Sequence, residues 1–453
     1  VEPDSNQPFS CVSWFQLVTR THGVTMNVSP SSRFVSRLTR DTLALVLSGG
    51  RGSRLKMLTD WRAKPAVPFG GKYRIVDFAL SNCLNSGIRR ISVLTQYKSH
   101  SLIRHIMEGW NNLRSEYGEF VELLPAQQWV EEDAWYQGTA DAVYQCLDII
   151  ASHHPEYVLV LPGDHVYKMD YGEMLAAHVA AKADLTVACN TVPLASASNF
   201  GVMSVDDNNR IASFQEKPDN PQPLVADPAN ALVSMGIYIF SLEYLADQLH
   251  HDAEDVASSH DFGHDIIPRA IEAGDQVQAF PMVASVGRDS YWRDVGTIDS
   301  YYQANIELTG AEPALDLYDP RWPVWTYQAQ LPPARFIGAG APDAYSVSGS
   351  MVSGGCVIDS SQLTRTLLFS NVKVASGCVL TGALVLPNCI IGSDCRLSKV
   401  ILDNGCEIPA GTVIGEDPDN DALRYHRTSD GIVVANRRMF GQDREYRPAV
   451  TMR

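Results

Sequence analysis

A glycine-rich turn near the start of the chain carries residues suited to binding a phosphate group. Residues 43–55 read LALVLSGGRGSRL, so an uncharged apolar run precedes three glycines and two arginines. Glycines allow the backbone to approach a ligand closely and to point successive N–H groups at an anion. Because Arg51 and Arg54 add two cations to the same turn, the stretch predicts a ligand that carries phosphate.

Two well-known phosphate-binding motifs do not match this turn. The dinucleotide-binding fingerprint requires a third glycine where Leu55 stands. The P-loop requires Gly-Lys followed by Ser or Thr, whereas Gly71 and Lys72 are followed by Tyr73. A tight strand-to-helix turn with incidental arginines remains an alternative for GGRGSR taken alone.

An aspartate in a second turn could hold a divalent cation. Asp164 lies in LPGDH, near the end of the apolar stretch 157–167. A lone aspartate in a turn is usually a helix cap or an Asx turn, but carboxylate oxygens are also the ligands that Mg²⁺ prefers. Ligands of parallel α/β sheets bind at the carboxyl ends of the strands, where GGRGSR and GDH both fall.

The positions of the apolar residues predict an α/β domain around these turns. The ranges with helical spacing are 75–87, 100–110 and 139–150. The ranges 43–47 and 91–97 are typical of buried strands, and 157–167 is typical of a buried strand followed by a turn. Such alternation is typical of a sheet with right-handed crossover connections.

Three neighbouring motifs narrow the interpretation. GGRGSRL, AKPAV and GGKYRIVDFALSN occur within forty residues, and together they resemble the sugar-1-phosphate nucleotidyltransferases. The similarity extends from about Thr42 to the C-terminus and is strongest to members that transfer the adenylyl group of ATP to α-D-glucose 1-phosphate for glycogen synthesis, releasing pyrophosphate. It implies a Rossmann-like domain with a mixed, mostly parallel sheet, followed by a left-handed parallel β-helix. Two alternatives remain. One is an enzyme that uses another nucleoside triphosphate or another sugar phosphate, and the other is a regulatory subunit without catalytic activity.

The resemblance also implies roles for individual residues. Arg51, Lys64 and Asp164 would be catalytic, and Asp164 and Asp294 would hold Mg²⁺ as cofactor. The residues that would bind ATP are Gly49, Gly50, Gly52 and Arg54. The residues that would bind glucose 1-phosphate are Tyr136, Gly201, Glu216, Lys217 and Ser234.

The resemblance implies a regulatory site with altered charge. Relatives that respond to fructose 1,6-bisphosphate hold it with basic residues between the two domains. Three of those positions are Trp61, Pro68 and Asn404 here, while Arg74 and Arg437 are retained. We therefore predict that Arg74 and Arg437 bind an anionic effector that carries fewer charges than fructose 1,6-bisphosphate, such as fructose 6-phosphate or pyruvate. An unregulated enzyme is the alternative.

A repeat in steps of five or six residues marks the C-terminal part of the chain. The recurring residues are Val372, Cys378, Leu384, Cys389, Cys395, Val400, Cys406 and Thr412. Most are followed two positions later by Val, Leu or Ile, which is typical of a hexapeptide β-helix. We interpret the cysteines as small inward-facing core residues rather than redox or metal sites. In the family such a domain packs subunits together, so a homotetramer is implied.

Composition limits the partners and the compartment. The formal net charge of -16 over 453 residues argues against a nucleic-acid or membrane-surface partner. Nine cysteines without a CxxC pair fit a reduced cytosol, and hence a cytoplasmic location. We expect an N-terminal extension of unknown role (1–40), a catalytic domain (41–310), a linker (311–345) and the β-helix domain (346–453).

Overall fold

The computed structural model describes residues 32–50, 52–96, 98–126, 136–282, 291–338 and 346–442. The helices in these residues are α1 (Ser32–Arg40), α2 (Val76–Asn85), α3 (His100–Gly109), α4 (Thr139–Tyr144), α5 (Leu147–Ser152), α6 (Tyr171–Ala181), α7 (Leu242–Glu254), α8 (Ile267–Ala273), α9 (Ile298–Glu307) and α10 (Pro418–Arg424). None of the helices in this part of the chain is long and apolar enough to cross a membrane.

The strands before residue 300 form the first domain. They are β1 (Thr42–Ser48), β2 (Pro68–Phe69), β3 (Tyr73–Arg74), β4 (Arg90–Thr95), β5 (Phe120–Pro125), β6 (Tyr157–Pro162), β7 (His165–Tyr167), β8 (Leu185–Pro193), β9 (Gly201–Val205), β10 (Ile211–Glu216), β11 (Asn230–Ser241), β12 (Val277–Pro281) and β13 (Trp292–Asp294). The main sheet has the order β10-β9-β11-β6-β1-β4-β5, with β8 beside β11 and β12 beside β8. It is mixed, because β1 runs parallel to β4 and β6 while β11 is antiparallel to its neighbours.

Strand β1 lies at the centre of the parallel part of the sheet. Ala44 and Val46 pack into the apolar core on one face, and Leu43 and Leu45 pack into the core on the other. All four are fully buried. The uninterrupted apolar run predicted a strand buried on both faces, and the structure confirms it.

One predicted element differs from the structure. The range 139–150 was expected to be a single helix, but α4 ends at Tyr144 and α5 begins at Leu147. Cys146 between them has φ −104° and ψ 5°, outside the helical region. Helical spacing of apolar residues continues across the break, so the sequence pattern does not reveal it.

The C-terminal strands stack into a parallel β-helix. They are β14 (Arg335–Ile337), β15 (Ser346–Ser348), β16 (Met351–Val352), β17 (Val357–Asp359), β18 (Gln362–Thr364), β19 (Leu367–Leu368), β20 (Lys373–Val374), β21 (Val379–Thr381), β22 (Leu384–Val385), β23 (Ile390–Ile391), β24 (Arg396–Ser398), β25 (Val400–Leu402), β26 (Glu407–Ile408), β27 (Val413–Ile414), β28 (His426–Arg427) and β29 (Val433–Ala435). Three sheets of parallel strands form its sides, as expected for the hexapeptide repeat, and β28 joins the third sheet antiparallel to β29. Its first strand, β14, lies inside the range predicted to be linker.

The repeated residues fill the interior of the β-helix. All the predicted core positions are buried except Thr412, which is half-buried. The thiols also act as hydrogen-bond donors: Cys378 Sγ lies 3.0 Å from the carbonyl oxygen of Gly392, and Cys389 Sγ lies 3.1 Å from that of Asp403. The prediction that these cysteines are core residues is therefore confirmed.

The two domains share an apolar core and several polar contacts. Residues of both domains, such as Leu55, Tyr301, Leu367 and Phe369, belong to one buried cluster. Tyr302 on α9 donates a hydrogen bond of 2.7 Å to the carbonyl oxygen of Gly382. Because α9 begins just after β13, the β-helix is packed directly behind the strand that carries Asp294.

Candidate active site

The glycine-rich turn and Asp164 lie at the same edge of the sheet. Leu47 at the end of β1 is in register with Leu94 of β4 and Pro162 of β6, so the three parallel strands end together. A cleft of about 500 Å³ opens there. The predicted site residues that line it are Gly49, Gly50, Tyr136, Asp164, Glu216 and Lys217. The structure thus brings together residues separated by more than 160 positions in sequence.

A buried lysine connects two carboxylates beside this cleft. Lys64 Nζ lies 2.9 Å from Asp164 Oδ2 and 2.7 Å from Asp294 Oδ1. The lysine side chain is 6% exposed, whereas Asp164 retains 33% exposure toward the cleft. The three residues come from separate segments, which only the fold brings into contact.

The pKa values of this cluster favour its charged form. Burial alone would lower the pKa of Lys64, but Asp164 and Asp294 together raise it above its ordinary value. Burial would raise the pKa of Asp164, and the Lys64 ammonium lowers it to about 2. Asp164 is therefore a carboxylate at neutral pH and can bind a cation.

His165 belongs to the same cluster and was not predicted. Its Nε2 atom lies 3.7 Å from Asp164 Oδ1 and 3.9 Å from Asp294 Oδ1. Among the described residues, Asp164, His165 and Asp294 form a group whose ligand atoms all lie within 4.8 Å of one another. Two hard carboxylates fit a divalent cation such as Mg²⁺, and the Lys64 ammonium between them shows that positive charge is favourable there.

The backbone of the glycine-rich turn is in contact with Thr59 and Lys64. Gly50 and Gly52 have φ values of 101° and 56°, the left-handed region that favours glycine. Thr59 Oγ1 lies 3.0 Å from the carbonyl oxygen of Gly52, and a Cβ atom on Gly52 would approach Lys64 Cβ to 3.1 Å. Arg54 Nη2 lies 3.6 Å from Asp294 Oδ2. The predicted catalytic Arg51 lies outside the described residues.

Of the residues predicted for the sugar phosphate, Tyr136, Glu216 and Lys217 line the cleft and the other two do not. Glu216 ends β10 and its carboxylate pairs with the ammonium of Lys217. Gly201 faces Glu216 across β9 and β10, and a Cβ atom there would come within 2.8 Å of Glu216 Oε2. Ser234 Oγ accepts a hydrogen bond of 3.1 Å from the N–H of Gly236. Gly201 and Ser234 therefore lie behind the wall that Glu216, Lys217 and Gly236 form.

Four further residues of the cleft wall were not predicted from the sequence. Thr139, Asp261, Phe262 and Gly263 line the cleft, and Thr139 Oγ1 donates a hydrogen bond of 2.9 Å to Asp261 Oδ2. Thr139 follows a glycine at a helix start, which is a weak signal. Asp261 caps the helical turn Phe262–Ile266, where its side chain accepts hydrogen bonds from the N–H groups of Gly263 and His264. An aspartate at such a position indicates a helix cap and not a residue of a binding cleft.

The positions predicted to bind an effector lie where the two domains meet. The Arg438 guanidinium lies 4.7 Å from the centre of the Trp61 ring, and a Cβ atom on Gly405 would lie 3.9 Å from Arg437 Nη1. The carboxylate of Asp403 pairs with the guanidinium of Arg62. Trp61, Arg437 and the loop after Asn404 are thus neighbours.

Arg74 lies on the β2–β3 hairpin, where it is in register with Pro68. Its Nη1 atom lies 3.3 Å from the carbonyl oxygen of Ala66 and 3.2 Å from that of Ser101. Burial lowers the pKa of Arg74; Asp77 opposes this, and Arg62 adds to the lowering. Burial is therefore the main cause of the lowered pKa of Arg74, and the Asp77 carboxylate is the largest charge acting on it.

Comparison with known proteins agrees with the fold and the cleft. The nucleotidyl transferase family matches residues 43–310, and the GlmU-like C-terminal hexapeptide family matches residues 332–435. The fold and site are thus those of a nucleotidyltransferase with a hexapeptide domain behind it.

Relatives along almost the whole chain are more specific. Glucose-1-phosphate adenylyltransferase of Nitrosococcus oceani is 57% identical over 422 residues, covering 93% of this chain and 100% of the relative. The enzyme of Methylococcus capsulatus is 56% identical over 413 residues, covering 91% and 97%. Glucose-1-phosphate adenylyltransferase 2 of Alkalilimnicola ehrlichii is 57% identical over 419 residues, covering 92% and 99%. The chain belongs to the glucose-1-phosphate adenylyltransferase family.

Proposed function

We propose that this protein transfers the adenylyl group of ATP to α-D-glucose 1-phosphate, giving ADP-glucose and pyrophosphate. The observation that carries the proposal is the Lys64, Asp164 and Asp294 cluster beside a glycine-rich turn at the edge of the sheet. The family relatives are named for this activity.

The chain's own residues act by positioning and by neutralising charge. The sugar phosphate must approach the α-phosphate of the nucleotide, so two polyanions have to lie in one cleft. Gly49, Gly50 and Gly52 present backbone N–H groups to the nucleotide phosphates, and Arg54 and Lys64 supply cations. Lys217 supplies a compact charge for the sugar phosphate, while Glu216 accepts hydrogen bonds from sugar hydroxyls. Holding both substrates in line needs no covalent enzyme intermediate.

We propose Mg²⁺ as the cofactor, held by Asp164 and Asp294. When bound, it would neutralise charge on the reacting phosphates. The two carboxylates are the donor set that supports this assignment, and the lowered pKa of Asp164 keeps it ionised.

The test is a matrix of nucleotides and sugar phosphates, with pyrophosphate release as the readout. We expect ATP with glucose 1-phosphate to react far faster than UTP, dTTP or mannose 1-phosphate, and chelation of divalent cations to abolish the reaction. Equal turnover with UTP or dTTP would refute the assignment. Absence of turnover with every pair would favour a regulatory subunit instead.

We also propose that a metabolite binds between the domains, at Arg74 and Arg437. Each charge-assisted hydrogen bond to a phosphate contributes about 1.5–3 kcal/mol, so the loss of two basic groups should weaken a bisphosphate by two or more orders of magnitude. Fructose 6-phosphate or pyruvate should therefore activate better than fructose 1,6-bisphosphate. Activity titrated with each compound at subsaturating ATP tests this, and strong activation by micromolar fructose 1,6-bisphosphate would contradict it.

Finally, we propose a homotetramer in the cytoplasm. The match of residues 332–435 to a hexapeptide-repeat family supports packing between subunits through this domain. The described cysteines are all unpaired, as in a reducing compartment. Light scattering coupled to size-exclusion chromatography measures the mass, and a monomer would contradict the proposal.

A further inference from the structure

The loop between α7 and α8 connects a buried carboxylate to the wall of the cleft. Asp261 and Gly263 in this loop line the cleft. A Cβ atom on Gly263 would lie 2.6 Å from Glu216 Oε2, so the loop is in contact with the proposed sugar-binding carboxylate. The position of this loop therefore determines the shape of the pocket around Glu216.

The backbone of His260 fixes the loop against α4. Its carbonyl oxygen accepts hydrogen bonds of 2.8 Å from the N–H of Ala140 and 3.3 Å from that of Asp141. This requires a left-handed conformation at His260, with φ 56°. It also requires glycine at position 138, where a Cβ atom would lie only 2.1 Å from the His260 carbonyl oxygen. Gly138 itself lines the cleft, so His260 joins two parts of the same wall.

The side chain of His260 ties the loop to the end of α7. Its Nδ1 atom lies 2.8 Å from Asp252 Oδ2, and Asp252 is 2% exposed. The other oxygen of Asp252 accepts a 2.8 Å hydrogen bond from Ser258 Oγ, and this hydroxyl in turn lies 2.9 Å from the N–H of His260. Arg269 Nη1 approaches Asp252 Oδ1 to 4.0 Å. Asp252 thus holds the loop at two points before it reaches the cleft.

We propose that Asp252 and His260 are positioning residues for the sugar-phosphate half of the cleft. Neither touches the reacting groups in this arrangement. Their hydrogen bond fixes residue 260, where the chain enters the turn that Asp261 caps through the N–H groups of Gly263 and His264. The position of this turn determines the place of Asp261 and the space available to Glu216. The inference rests on the proposed function, because it assigns these residues to the glucose 1-phosphate side of that reaction.

Binding of the nucleotide should not depend on this pair. The glycine-rich turn is held instead by Thr59 and Lys64 on another segment. Loss of the Asp252 to His260 hydrogen bond should therefore raise the KM for glucose 1-phosphate and leave the KM for ATP nearly unchanged. Hydrogen bonds from a sugar to charged groups such as Asp261 and Glu216 are strong ground-state contacts, so their loss should raise this KM by about ten- to a hundredfold.

The test compares two substitutions that both permit a left-handed backbone. His260→Asn places an amide nitrogen close to the position of Nδ1, and asparagine tolerates positive φ. His260→Gly keeps the backbone conformation but removes the side chain. We expect His260→Gly to raise the KM for glucose 1-phosphate by about ten- to a hundredfold, and His260→Asn to stay within about threefold of the wild type. The kcat and the KM for ATP should change little in both.

His154→Gly is the matched control. His154 also has a left-handed φ of 49°, but it is exposed at the end of α5 and does not line the cleft. Its replacement should leave the KM for both substrates unchanged.

The outcomes separate this inference from the proposed function. If His260→Gly lowers the thermal midpoint while the KM for glucose 1-phosphate stays at the wild-type value, the pair is merely structural and the inference is wrong. An equal rise in the KM for both substrates would also overturn it. If the wild-type protein does not turn over ATP with glucose 1-phosphate, the proposed function fails first, and the positioning role fails with it.

Discussion

Replacing Asp164 by asparagine should nearly abolish catalysis while leaving the fold in place. The change keeps the size and shape of the side chain and removes one of two carboxylates in the cluster. A unit charge at about 4 Å contributes roughly 4 kcal/mol at an effective dielectric constant of about 20, which suits a side chain that is 33% exposed. Because this charge interaction should act mainly in the transition state, its loss should lower kcat by about three orders of magnitude.

The stability cost of the same substitution should be small. The lowering of the Asp164 pKa from 3.8 to about 2 corresponds to at most roughly 2 kcal/mol, and to less after screening by solvent. Lys64 also keeps its contact with Asp294. The assay is steady-state turnover at saturating Mg²⁺ and both substrates, with thermal unfolding measured in parallel.

Asp206→Asn is the matched control for this experiment. Asp206 is a turn-forming aspartate whose Oδ1 accepts hydrogen bonds from the N–H groups of Asn208 and Arg210, and it does not line the cleft. It should keep wild-type kcat. If Asp164→Asn also kept near wild-type kcat, then Asp164 would be a turn residue like Asp206, and the metal role would be wrong.

Three further substitutions test other parts of the structure. Lys217→Ala should raise the KM for glucose 1-phosphate with little change in kcat, as measured by steady-state kinetics, because it removes a ground-state phosphate contact; a large fall in kcat alone would contradict this. Thr59→Val should raise the KM for ATP by about three- to tenfold, since the hydroxyl that holds Gly52 contributes about 0.5–1.5 kcal/mol, while Thr59→Ser should not. Arg62→Ala leaves Asp403 buried without its partner and should destabilise the protein by about 3–5 kcal/mol at pH 8. Burial already raises the pKa of Asp403, and removing Arg62 raises it further, so the loss should be smaller at pH 5.5, where Asp403 can be protonated; an equal loss of thermal midpoint at both pH values would refute this.

The parts of the fold with strong local patterns were predictable from the sequence. The apolar run 43–47, followed by a glycine-rich turn, predicts a strand buried on both faces, and the five- or six-residue repeat predicts a β-helix. The break at Cys146 was not predictable, because apolar spacing is continuous across residues 139–150 and the interruption leaves no local mark.

The site residues that lie in sequence motifs were predictable. Those that only the folded chain brings to the cleft were not. Asp164 and Lys64 lie in recognisable segments, although only the structure shows the 2.9 Å contact between them. The part of the wall formed by Asp261 depends on His260 and its carbonyl contact with α4, which is a long-range backbone interaction. Short-range patterns contain no information about such contacts, so the sequence indicates Asp261 only as a helix cap and gives no signal for the role of His260.

The buried thiols of the β-helix allow local unfolding of this domain to be measured by chemical labelling. The described cysteines of the β-helix are all buried, and Cys378 and Cys389 are hydrogen-bonded to carbonyl groups of the next coil. An alkylating reagent can reach them only when coils separate, so the labelling rate measures the free energy of local opening. With Cys11 changed to serine, mass spectrometry of pulse-labelled protein would resolve this coil by coil. Coils that open first at the ends would indicate fraying, and simultaneous labelling of all coils would indicate a single cooperative unit.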